Sequence, residues 1–348
     1  MVTVRMDKTT FLKALEGRSP EDLRTLLWTA YWRGTAPMRE RIEELLAPQE
    51  AAVKRAAEAQ VDPDLCLDEV TTFCERARSG DYIRGARDLG RKEVTGWRFT
   101  LRRLFDESCR LLQQNDIDEG SEALERLLDF TCELKGYNYF RSEDQVEAAK
   151  IVVSDRIEAL WLAQIHQQGF ALFIQKAPAQ LLRWEEPYGW TTFGGGQTAE
   201  KERKLAEVLP RLLPGADGLH AFCQAYLAAL ETFQPRKPDP KARKGTWNDP
   251  LADFAKESEK RADRLEDWHA FLLDRLKDTE DETILERILE HRATQGPETW
   301  HLLGLLRQAQ GRLEEAKTFI RKALLRYPGS SLFKTTALQL GCEQDLAQ

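Results

Sequence analysis

Apolar residues recur along almost the whole chain at spacings of three and four, the period of an amphipathic helix. Thr10 to Leu15 predicts a short helix ended by Gly17. Ser19-Pro20-Glu21-Asp22 starts another, with Ser at the N-cap, Pro at the first helical position and acids in the first turn. Its apolar face is Leu23, Leu26, Leu27, Ala30 and Tyr31. Helices follow from Met38 to Leu46 and from Leu65 to Ala77. Val94 to Leu112 and Glu119 to Leu134, parted by Asn115-Asp116-Ile117-Asp118, predict a helical hairpin of the kind that builds bundles and solenoids. Ser142, with Gln145 three residues on, marks a capping box for a helix to Leu160, and apolar helix continues to about Trp184. Further helices are predicted for Thr198 to Leu213, for Leu219 to Phe233, and from Pro250 to about Lys277.

Two stretches break the pattern. Glu185 to Gly196 is rich in aromatics and glycine and reads as a loop or a short hairpin. Pro235 to Gly245 holds three prolines and five basic residues, cannot bury a core, and predicts an exposed linker. No stretch sustains period-two alternation, which argues against a sheet and hence against a Rossmann or P-loop domain.

Near the C-terminus one unit repeats a recognisable pattern. In Glu298 to Pro328, the residues Trp300, Leu303, Gly304, Ala316, Ile320, Ala323 and Pro328 resemble the tetratricopeptide (TPR) repeat. Gly304 and Ala316 let two antiparallel helices approach closely, Gln310-Gly311-Arg312 is the tight turn, and Pro328 stops the second helix. Arg307 stands where that family prefers a large aromatic. Trp268, Phe271 and Leu272 precede Trp300, Leu303 and Gly304 by 32 residues each, and Ile284 and Ile288 precede Ala316 and Ile320 by the same interval. Leu332 to Leu340 is then the helix that closes the array.

The resemblance implies an all-α fold of stacked antiparallel helix pairs, a TPR-like α-solenoid interrupted by one irregular Gly/aromatic loop. The expected organisation is an N-terminal helical-repeat domain over 1–234, a Pro/basic linker over 235–249 and a C-terminal TPR-like helical domain over 250–348. The family binds peptides or partner helices in a groove lined by the first helix of each unit. Here that stripe is Glu298, His301, Leu305 and Gln308, and Tyr188 and Trp190 of the irregular loop are candidate anchors beside it.

The 348 residues include 51 basic and 58 acidic side chains, a net charge of −7, which argues against a protein that coats nucleic acid over its whole surface. One segment runs the other way. Arg76 to Arg103 carries nine basic residues against three acidic ones, and Tyr82, Trp97 and Phe99 lie among them. Arginine suits bidentate contacts to phosphate or carboxylate, and aromatics stack bases. Arg84, Arg87, Arg91, Arg98, Arg102 and Arg103 are therefore candidate anion-binding residues, weighed against ion pairing between helices.

Catalytic and metal signatures are missing. Gly194-Gly195-Gly196-Gln197-Thr198 lacks the lysine and spacing of a phosphate-binding loop. None of the five histidines lies in an H-E-x-x-H pattern, no C-x-x-C occurs among the six cysteines, and no G-x-S-x-G is present. No cofactor or metal is expected. The first residues contain no apolar signal-peptide core, and the longest uncharged run, Ala159 to Gln175, is too short and polar for a bilayer span and reads as a buried helix pair. A cytoplasmic location without membrane contact is expected. The leading expectation is a non-enzymatic scaffold or adaptor for a protein or peptide partner. A nucleic-acid adaptor acting through the arginine-rich segment, and an enzyme whose site is assembled from distant helices, are the alternatives.

Overall fold

A computed structural model describes residues 7–46, 60–84, 90–114, 116–233 and 250–342. Among them the structure is helical throughout, with no strand. The chain divides into two compact units, Met1–Val61 and Asp62–Gln348.

The first unit contains α1 (Lys8–Leu15), α2 (Pro20–Arg33) and α3 (Ala36–Leu46). Asp7 caps α1 by accepting from Thr10 N, and Ser19 and Asp22 form a reciprocal capping box on α2 behind Pro20. The expected apolar face of α2 is not buried: no residue of this helix is. Its ridge of Leu26, Leu27, Trp28 and Trp32 stays exposed, and Trp28 stacks on Tyr31 and Trp32 along one face.

The second unit opens with α4 (Pro63–Ser79), α5 (Asp81–Arg84), α6 (Arg91–Gln113) and α7 (Ile117–Leu134). α6 and α7 form the expected hairpin, with α4 against α7. They touch closely at Gly120, where a Cβ would lie 2.9 Å from that of Leu111. Phe73, Tyr82, Trp97, Phe130 and Phe140 make an aromatic core there, with Trp97 stacked on Phe140 at 4.1 Å.

The predicted helix from Ser142 is two helices, α8 (Gln145–Ala149) and α9 (Val153–Ala163). Asp144, not Ser142, caps α8, and Lys150 turns the chain with φ 54°. The second start is stabilised from far along the chain: Glu202 accepts from Val153 N, Ser154 N and Ser154 Oγ at 2.7, 2.9 and 2.6 Å. α9 runs through a π turn (Gln164–Gln168) to Gly169, and α10 (Phe170–Trp184) meets it through Trp161, whose Nε1 donates to Gln180 Oε1 at 2.8 Å, the helix pair expected from the long uncharged run. No helix among the described residues is long and apolar enough to cross a membrane.

Thr198 to Leu213 is broken into a 3₁₀ turn (Ala199–Lys201), the single-turn α11 (Leu205–Val208) and a second 3₁₀ turn (Leu209–Arg211) that holds Pro210. α12 (Gly215–Thr232) follows. The predicted linker 235–249 lies outside the described residues. The helices on either side of it share one core. Phe222 and Tyr226 of α12 meet Trp268 edge to face at 5.3 and 6.2 Å, and Tyr226 Oη lies 3.0 Å from His269 Nε2.

The predicted helix from Pro250 breaks at Leu265 into α13 (Pro250–Arg264) and α14 (Glu266–Leu276). α15 (Glu282–Leu289), α16 (Pro297–Ala309), α17 (Leu313–Arg326) and α18 (Ser331–Gln339) complete the chain. α16 and α17 pack tightly: a Cβ on Gly304 would meet Ile320 Cδ1 at 2.6 Å, and Gly311 makes the turn at φ 75°. Arg307 of α16 is buried and ion-pairs with Glu286 of α15, with Glu290 just past its end, and with Glu315 of α17. A guanidinium thus joins neighbouring helices where an aromatic was expected.

Candidate functional site

The irregular loop between α10 and α11 is held by side chains from α7, α8 and their surroundings. Lys135 Nζ donates to Glu186 Oε2 and to Gly189 O, both at 2.8 Å. Asp144 accepts from Thr192 N at 2.7 Å, and Glu147 accepts from Thr198 N at 2.9 Å. The Glu147 carboxylate thus fills the place where a phosphate at the Gly194–Gly196 turn would sit. Glu185 is buried and accepts from Leu205 N and Ala206 N at the start of α11. Burial pushes its carboxyl up to about 7, against the pull of those N–H groups.

This rigid loop projects Tyr188, which is 71% exposed. The tyrosine hydroxyl stands beside Asp263 at the end of α13. Around it stand Glu266 at the start of α14 and Glu298 at the start of α16, close enough for each to raise the tyrosine's pKa. Asp263, Glu266 and Glu298 are half-buried, and none forms an ion pair with a basic side chain among the described residues, whereas nearby Asp267 and Glu259 pair with Lys204 and Arg326. One oxygen of Glu298, Oε2, is buried with no hydrogen-bond donor. The electrostatic consequence is uniform. Burial raises all three carboxyls, helped by neighbouring acids and opposed by Tyr188 and Arg264 at Asp263 and by Lys204 at Glu266, and Glu298 is pushed up to about 7. Such a surface stores unfavourable charge that a cation would relieve.

The structure therefore brings together two of the residues singled out in the sequence, Tyr188 and Glu298, and separates others. Trp190 is 1% exposed and belongs to the core. His301 was expected in an open groove and is 3% exposed: α18 covers it, with Phe333 at 5.0 Å between ring centres and Thr336 Oγ1 2.9 Å from Nε2. Burial lowers its pKa to about 4, so the imidazole is neutral. Leu305 is half-buried and Gln308 is exposed further along α16.

The arginine-rich segment is largely matched by acceptors. Arg78 makes a two-pronged contact with Glu133, with both distances 3.0 Å. Arg102 Nε donates to Ala149 O at 2.8 Å, and Arg103 pairs with Glu69 and Glu107 at 2.7 Å each. Arg98 lies 4.8 Å above the exposed ring of Phe99. Tyr82 and Trp97 are core residues. Arg87 and the side chains of Arg84 and Arg91 lie outside the described residues.

Asp263 and Glu266 were missed in the sequence, where Arg261-Ala262-Asp263-Arg264-Leu265-Glu266-Asp267 looks like an ordinary solvated helix. One signal was there to find them. Glu266 precedes Glu298 by 32 residues, the interval that relates Trp268 to Trp300. Among the described residues no three histidine, cysteine, aspartate or glutamate side chains are grouped to hold a metal ion. The chain matches no family model, no curated protein and no solved structure.

Proposed function

We propose that this chain is a protein-interaction scaffold that docks a basic segment of a partner protein on the surface formed by Tyr188, Asp263, Glu266 and Glu298. The observation that carries the reading is the convergence, from three helix ends and a pinned loop, of three half-buried carboxylates without a basic partner beside one exposed aromatic ring. A lysine or arginine inserted there neutralises the carboxylates and rests against the face of Tyr188, which adds a cation–π contact. The TPR-like spacing of Glu298 to Pro328 supports the reading, because that family binds peptides with the helix on which Glu298 stands.

The test is a titration of a labelled peptide of alternating lysine and alanine against the full chain, read by fluorescence anisotropy, with a glutamate–alanine peptide as control. The lysine peptide binds, and the Glu266→Gln/Glu298→Gln double variant weakens it by about tenfold at low salt. Affinity also falls on acidification from about pH 8 to about pH 6, as Glu298 takes up its proton. Equal affinity for the two peptides, or no loss in the double variant, overturns the proposal.

A further inference from the structure

We propose that the cleft between α7, α10, α12 and α13 binds a small organic carboxylate with an apolar body, held by Arg261. The cleft encloses about 820 Å³, within the range of small-molecule sites. Ala179 and Leu182 of α10 and Ala229 and Phe233 at the end of α12 supply apolar wall. Arg261 of α13 lines it as well, and is itself only 3% exposed. One of its nitrogens, Nη1, donates to Ala293 O, and the guanidinium lies 4.4 Å from the centre of the Phe233 ring. Its Nε is buried without a hydrogen-bond partner, and no carboxylate pairs with it among the described residues.

An arginine does not shed its charge, so this is a buried cation without a counter-ion. Burial and the like charge of Arg264 oppose the charged form, against the pull of Glu257, which forms no ion pair with it. The other cations of the wall have partners. Arg183 pairs with Glu125 and Asp129 at 3.2 Å each, Lys260 with Glu257 at 3.2 Å, and Arg264 reaches Glu186 at 3.8 Å. Two acids of the wall are engaged too: Asp129 also accepts from Trp184 Nε1, and Glu186 accepts from Lys135. The wall's four cations and four carboxylates balance in number, and Arg261 is the one of these cations with no carboxylate paired to it among the described residues.

That balance selects the ligand. One carboxylate neutralises Arg261, while a phosphate dianion or a polyphosphate brings surplus negative charge among four wall carboxylates. The ring of Phe233 covers one face of the guanidinium and Ala293 O holds Nη1, so the anion approaches the guanidinium edge from the cleft. The apolar wall receives the rest of the molecule.

Phenylbutyrate, its amide and inorganic phosphate are the probes, each titrated into the full chain and followed by saturation-transfer NMR. Phenylbutyrate binds saturably with a Kd below about 5 mM, and the amide binds at least about tenfold more weakly. Arg261→Met abolishes the difference between acid and amide. Because that variant alters a buried site, Ala179→Trp serves as the second test: it narrows the cleft from an exposed helix position, leaves Arg261 in place, and weakens phenylbutyrate with the melting temperature unchanged. Equal binding of acid and amide, phosphate binding as tightly as phenylbutyrate, or no saturable binding of phenylbutyrate to the wild-type chain overturns the proposal.

Discussion

Two charged regions of this molecule invert what their sequences suggest. The arginine-rich hairpin has the denser charge, yet Arg78, Arg102 and Arg103 are each met by a carboxylate or a carbonyl of a neighbouring element. The surface around Tyr188 draws single acids from separate elements, and Asp263, Glu266 and Glu298 form no ion pair among the described residues. Exposed matched pairs contribute little and bind little. Half-buried unmatched charges cost stability and gain most from a ligand. Charge density along a chain therefore says less about a binding surface than the pairing of each charge in space.

That contrast can be broken at several points. The strongest test is Arg307→Ala, which removes a buried cation that joins Glu286, Glu290 and Glu315 of neighbouring elements. Urea unfolding should show a loss of about 3 kcal/mol, and a loss under about 0.5 kcal/mol would mean that this matching is decorative. Arg78→Ala, which removes the cation paired with the largely buried Glu133 and leaves it the Tyr139 hydroxyl, should cost about 1.5 kcal/mol by the same measurement.

Glu298→Gln should act in the opposite direction. Its folded pKa of about 7 lies above the ordinary 4.5, so the carboxyl favours the fold below the ordinary value, and that contribution is lost as pH rises through about 7. The variant should be more stable than wild type by about 1 kcal/mol near pH 8, discounted for partial hydration, and equal to it near pH 4. Thermal melts at the two pH values check this, and a destabilised variant near pH 8 would place a hidden cation beside Glu298. Smallest of all, Arg98→Ala should change stability by under about 0.5 kcal/mol, because its contact with the Phe99 ring is exposed.

Much of the fold was legible because helices announce themselves locally. The capping box at Ser19 and Asp22, the hairpin of Val94 to Leu134 and the close approach at Gly304 need only nearby residues to specify them. The errors arose where a distant group intervened. Glu202 starts a helix at Val153 that periodicity ran together with its predecessor, and α18 covers His301, which a groove-lining stripe leaves open. The site was legible in part. Tyr188 and Glu298 stood out by exposure of loop aromatics and by repeat position, whereas Asp263, Glu266 and Arg261 sit in a run of mixed charge whose pairing only packing decides.

The central claim is that Glu298, beside Tyr188, is held partly protonated near neutral pH until a cation arrives. Calorimetry of the lysine–alanine peptide at about pH 7, in two buffers of different ionisation enthalpy, measures it directly. The account predicts that protons are released on binding, because the incoming cation draws Glu298 down from about 7, and that the release disappears in Glu298→Gln. Binding without proton release, or with the same release in the variant, would contradict it.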